Sequence, residues 1–172
     1  MTFASRQDAL AIENEMSWEA RPRPETLYQM LRETVDAFPD RPAVSYQLLS
    51  GASDPAQTMT WQQFHDQVCR AANLFRDLRI NESDVVALVL PNTLETAIVT
   101  IGAAIAGIVN PINPLLEPEQ IGAILRETDA RVVVTLKAFP KTDIAQKTAE
   151  AVRHAPRVHT ILEIDLNRYL TP

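Results

Sequence analysis

Residues 94–109 are apolar at almost every position, broken only by Glu95, Thr96 and Thr100. A membrane-spanning helix needs about 20 such residues, or at least 18 with few charges. This stretch is shorter, has a glutamate near one end, and contains Gly102 and Gly107. It predicts a helix buried against a sheet rather than a span. Asn92 and Glu95 have capping-box spacing at its start. Gly107 is expected to stop it, because glycine tolerates the left-handed conformation.

Elsewhere the pattern is periodic. In residues 25–38, Leu27, Met30, Leu31, Val35 and Phe38 recur at helical spacing and Pro39 ends the run. Thr60 and Gln63 form a T-x-x-Q capping box. Behind it Trp61, Phe64, Val68, Ala71, Ala72, Phe75 and Leu78 make one stripe. Residues 43–49 and 57–60 read as two short strands around the turn-rich 50–56. Residues 85–90, VVALVL, form a continuous β-branched-rich run, the mark of a strand covered on both faces. Residues 108–113 are a further strand candidate, restricted by Pro111 to an edge or a short piece. Pro118 suits the first turn of a helix over 119–128. A strand at 131–137, a helix at 143–155 and a strand at 157–164 complete the alternation.

This order predicts an α/β fold: a layered, mostly parallel sheet with helices on both faces, plus a short N-terminal strand pair. Residues 1–24 read as an N-terminal arm ending in the extended RPRP, with Trp18 a candidate to dock on the α/β unit, residues 25–172. Residues 165–172 carry no stop signal, so the chain is expected to continue into further protein.

The net charge of −6, without a Lys/Arg cluster, excludes a basic nucleic-acid-binding face. A single cysteine, Cys69, rules out an internal disulfide, and its helical setting reads as a half-buried hydrophobe. The first residues lack the basic and apolar regions of a secretion signal, so a cytoplasmic location is expected.

Candidate chemistry is sparse. Gly51, Gly102, Gly107 and Gly122 fall in neither a P-loop nor a dinucleotide fingerprint. Gly102 and Gly107 match the Walker distance, but Ile108 and Val109 stand where Lys and Ser/Thr are required, so both glycines read as packing and helix-stop residues. His65, His154 and His159 are dispersed, with no metal-ligand spacing, and no G-x-S-x-G elbow occurs. Glu163 and Asp165, two apart at a strand end, read as surface charge. A phosphoacceptor receiver domain would need carboxylates after its strands, and Pro91-Asn92 and Ala138-Phe139-Pro140 do not provide them.

Three segments, taken in order, resemble landmarks of the adenylate-forming ligases: acyl-CoA synthetases, peptide-synthetase adenylation domains and luciferases. They are MTWQQFHDQVCRAANLF (59–75), DVVALVLPNTLETAIVTIGAAIAGIVNPINP (84–114) and EQIGAILRETDARVVVT (119–135). Trp61 replaces the usual Tyr and Phe64 the usual Leu. The likeness runs from about residue 24 to 164, and the Asn113-Pro114 ending is most similar to the acyl-CoA synthetase branch. The resemblance implies an enzyme using ATP, Mg²⁺ and CoA to convert a fatty or aromatic acid to its CoA thioester through an acyl-adenylate. Its phosphate loop and catalytic lysine would lie downstream, so this chain is expected to hold no catalytic residue, metal or cofactor of its own and to act as scaffold. Its expected partner is the remainder of its own polypeptide, or a second copy covering the same apolar face. Asn113, Pro114 and Leu115 are implied as a CoA-side loop, although Leu115-Leu116-Glu117 departs from relatives by offering no cation. The alternative is a stand-alone, non-catalytic interaction module of the same ancestry.

Overall fold

A computed structural model describes residues 4–49, 51 and 53–170. Ser50 and Ala52 of the turn-rich link, and residues 171–172, lie outside the described residues. The regular elements are helix α1 (Arg6–Glu15), helix α2 (Leu27–Ala37), strands β1 (Pro42–Tyr46) and β2 (Gln57–Thr60), and helix α3 (Trp61–Asp77). Then follow β3 (Val85–Val89), α4 (Leu94–Ala106), β4 (Ile108–Ile112), α5 (Pro118–Glu127), β5 (Val132–Leu136), α6 (Ile144–Val152) and β6 (Thr160–Ile164). Short 3-10 turns cover Trp18–Ala20 and Asn167–Tyr169.

Four strands form one parallel sheet in the order β4-β3-β5-β6, and β1 pairs antiparallel with β2. Pro111 sits on β4, which is an edge strand as the missing donor demands. β5 lies inside the sheet and is buried at all five positions, which matches its unbroken VVVTL run. From β3 the chain steps outward to β4, then back across β3 to β5. Right-handed crossovers therefore set α4 on one face and α5 and α6 on the other.

The apolar character of α4 on all sides follows from its place between two layers. Ala103, Ala106 and Val99 face the sheet core, while Ala97, Ile98, Ile101 and Ile105 pack on the Leu31, Val35, Phe64 and Val68 cluster of α2 and α3. Gly102 permits this approach: a Cβ there would lie 2.7 Å from Ala71 Cβ and 3.2 Å from the Val68 carbonyl oxygen. Among the described residues, no helix is long and apolar enough to cross a membrane.

Several local readings change. The N-cap of α4 is Thr93, not Asn92: Thr93 Oγ1 accepts from Thr96 N at 3.1 Å. Thr96 Oγ1 also donates to the Pro91 carbonyl at 2.6 Å, holding the entry one residue later than the spacing suggests. Gly107 follows α4 with φ −162°, which is extended backbone rather than left-handed. Glycine is needed there for space, since a Cβ would meet Asp84 O at 2.6 Å, Asn81 O at 2.7 Å and Ile80 Cγ2 at 2.8 Å. The left-handed stops occur instead at Arg79 and Asp129, with φ of 64° and 52°. There Ile80 N bonds Phe75 O and Ala130 N bonds Leu125 O, closing Schellman turns after α3 and α5.

The strand expected over 43–49 ends at Tyr46, because Gln47 turns its amide to the Gly51 and Asp54 carbonyls at 2.8 and 2.9 Å. The N-terminal stretch contains α1, started by a Ser5–Asp8 capping box and burying no residue. Trp18 stays 65% exposed with the Arg23 guanidinium 4.8 Å above its ring, so it does not dock in the core.

Candidate functional site

Parallel strands bring all their carboxyl ends to one rim, made here by residues 90–93, 113–117, 137–143 and 165–170. In open α/β sheets ligands bind at this rim, where neighbouring strands send the chain in opposite directions. That switch point lies between β3 and β5. Its floor is polar but satisfied: Thr135 Oγ1 reaches the Val89 carbonyl at 3.4 Å and the buried Thr148 hydroxyl of α6 at 3.0 Å.

Over this floor runs the segment that follows β6. Asp165 accepts from Lys137 Nζ at 3.0 Å and from Asn167 N and Nδ2 at 2.9 and 2.8 Å. The lysine's hydrogen bond is the main reason the Asp165 carboxyl is held down to about 2, with Asn167 adding to it. Lys137 is raised in return, chiefly by the same bond. Asn167 Nδ2 also donates to the Ala138 carbonyl at 3.2 Å.

Farther along, Arg168 forms an ion pair with Glu95, and Tyr169 donates its hydroxyl to the same carboxylate oxygen at 2.9 Å. The Tyr169 ring meets Tyr46 of β1 edge-to-face, centroids 5.2 Å apart. Glu95 belongs to the first turn of α4 and is 16% exposed, with the helix dipole favouring its charge. Its other oxygen, Oε2, is buried without a hydrogen-bond partner among the described residues. Burial raises the Tyr169 and Tyr46 phenols, and the Glu95 charge adds to both.

The loop singled out from sequence lies on the same rim, at the end of β4. Asn113 Oδ1 accepts from Leu115 N at 3.0 Å, so this side chain shapes its own turn, and Leu115 is 80% exposed. Sequence spacing showed no cation here, yet Lys147 of α6 approaches Glu117 Oε1 at 3.3 Å and Asp143 Oδ2 at 3.5 Å. Glu163 and Asp165 separate: Glu163 stays within β6, while Asp165 lies beyond it and engages Lys137.

The histidines do not converge. His65 sits on α3 beside Cys69, Nε2 to Sγ 3.5 Å, His154 follows α6, and His159 bonds Thr160 Oγ1 at 2.9 Å. Cys69 borders a cleft of about 600 Å³ with Tyr28, Asn73, Arg76 and Ile105, at the end of α4 away from the rim. Burial, then Asp66, pushes its thiol up. The Glu95–Arg168–Tyr169 group escaped sequence reading because 73 residues separate the ion pair. Its one signal was a lone glutamate at the head of an apolar helix, which needs a partner when buried.

Residues 31–170 match the model of the family described as AMP-binding enzyme. The chain is 37% identical over 112 residues to a marinolic acid–CoA ligase of Pseudoalteromonas sp. (strain SANK 73390), covering 65% of this chain and 17% of that protein. It is 32% identical over 136 residues to a 4-coumarate–CoA ligase of Pinus taeda, covering 78% and 23%. A solved fatty acyl CoA synthetase of Mycobacterium tuberculosis superposes with a TM-score of 0.66 at 24% identity, over 81% of this chain and 26% of that one, a likeness of fold. The chain thus spans only 17% and 23% of the length of those two curated relatives.

Proposed function

The chain belongs to the AMP-binding enzyme family, and from that premise we propose that it is the N-terminal part of an ATP-dependent acyl-CoA synthetase. The whole protein would join a fatty or aromatic acid to AMP with release of pyrophosphate, and the CoA thiol would then displace AMP. One observation carries this reading: a family match continuous over residues 31–170 in a chain that covers only 17% and 23% of two curated relatives.

The described residues suit a supporting role. A triphosphate needs close backbone donors and free cations. No glycine stands in the rim segments 90–93, 113–117, 137–143 or 165–170. Lys137, Lys147 and Arg168 are already held by carboxylates, which leaves Lys141 as one exposed rim lysine with no glycine-borne backbone donors beside it. ATP and Mg²⁺ are therefore assigned to segments of the longer protein. The turn of Asn113, Pro114 and Leu115 is proposed to face CoA, on the ground that it lies on the carboxyl rim with Leu115 exposed. Exposed Met30, Leu74 and Ile161 offer apolar surface for the remainder of the polypeptide to cover.

ATP–pyrophosphate exchange over a panel of fatty and aromatic acids tests the assignment. The 172-residue chain is expected to give none, and a longer chain carrying the phosphate loop is expected to give it. Exchange by the purified 172-residue chain would overturn the scaffold reading. Failure of the longer chain with every acid would overturn the ligase reading.

A further inference from the structure

We propose that Asp165–Leu170 is a strap closed over the β3/β5 switch point, caught at its far end by Glu95 and able to open while the sheet stays folded. The strap starts at the C-terminal end of β6, crosses the β5 exit through Lys137 and Ala138, and reaches the first turn of α4 through Arg168 and Tyr169. It therefore lies across the place where a sheet of this strand order receives a ligand.

Its two ends are held differently. Leu166 is 3% exposed and belongs to the main core, so it is the fixed end. Beyond it the 3-10 turn fully buries no residue, and its hold is mixed: the Asn167 bond to Ala138, the Arg168–Glu95 pair, the Tyr169 hydroxyl on Glu95, and the Tyr169 ring, which packs partly on the core and edge-on to Tyr46. The Arg168 side chain is 57% exposed and Leu170 51%. Segments with few buried apolar contacts and solvent-exposed hydrogen bonds open locally at small cost. The catch is different in kind, being a largely buried carboxylate at a helix N-terminus with Oε2 lacking a hydrogen-bond partner among the described residues. When the strap swings away about Leu166, that carboxylate is uncovered at the rim and both its oxygens can accept hydrogen bonds from a cationic or N–H-bearing ligand.

The strap contains its own reporter, since trypsin cuts after Arg168 only when the segment leaves the surface. Native-state proteolysis of the 172-residue chain, followed by mass spectrometry, measures loss of the residues after Arg168 against cleavage at Arg131 and Lys147. Glu95→Gln removes the charge and keeps the shape. It is expected to speed cleavage at Arg168 about tenfold, the difference between a charge-assisted and a neutral hydrogen bond, without speeding cleavage at Arg131 or Lys147. Tyr169→Phe, which removes one donor to Glu95, is expected to give a smaller increase at the same site. Equal rates at Arg168 in wild type and Glu95→Gln would overturn the catch. Parallel acceleration at Arg131 and Lys147 would show that the strap opens only with the whole fold. Wild-type cleavage at Arg168 as fast as in a free peptide of residues 163–172 would show that it is not closed at all.

Discussion

Replacing Gly107 by alanine and, separately, by asparagine distinguishes two reasons for a glycine after α4. Were the residue left-handed, asparagine would be tolerated better than alanine, because its side chain suits that region. The observed φ of −162° is open to any residue, and the conflict is spatial. An added Cβ meets three atoms at 2.6, 2.7 and 2.8 Å, two of them main-chain oxygens of the turn that enters β3. The Asp84 oxygen cannot retreat without stretching its 2.9 Å bond from Ile108 N, which starts β4. Overpacking of this sort costs about 1–3 kcal/mol, and the weakened hydrogen bond about 1 more. The expected loss for alanine is therefore roughly 2–4 kcal/mol, or about 4–16 °C in Tm for a chain of this size. Asparagine should be at least as harmful. Urea unfolding followed by circular dichroism measures both variants, with an unchanged slope required for comparison. A Gly107→Asn protein as stable as wild type, beside a damaged Gly107→Ala, would refute the steric account.

Other outcomes follow from single contacts. Asp84 is 8% exposed and takes Arg131 Nε at 2.9 Å and Asn81 N at 3.0 Å, so Asp84→Ala is expected to cost about 1–3 kcal/mol by removing the acceptor of the Asn81 amide and of the partly exposed Arg131 guanidinium; a loss under about 0.5 kcal/mol in urea unfolding would show the pair to be dispensable. Arg79→Gly relieves a left-handed φ of 64° and should stabilise the chain by up to about 1 kcal/mol, a gain that thermal melting would detect and that a lower Tm would contradict. Asp165 titrates near 2 in the fold against an ordinary 3.8, so its contribution is present above about pH 4 and lost as pH falls through about 2. Lys137→Met should move the carboxyl carbon titration of Asp165 upward in NMR; an unmoved curve would remove the lysine as the main cause.

The alternation of periods along the chain was enough to establish a parallel α/β sheet with a strand pair beside it, since runs such as VVVTL and VVALV suit only strands covered on both faces. Pro111 restricted its strand to an edge or a short piece, and Thr60 with Gln63 placed the start of α3, because each acts through the local backbone alone. The all-round apolar α4 was readable as buried, though not what buried it. Contacts between distant segments were decided by tertiary structure. Gly107 is required by a turn more than 20 residues upstream of it, Lys147 reaches the 113–117 loop from another helix, and Glu95 finds Arg168 only when β6 delivers its strap across the rim. Local sequence sets which backbone conformations are accessible. Strand order, a product of the whole core, sets which side chains meet at the carboxyl rim, and that is where the candidate site lies.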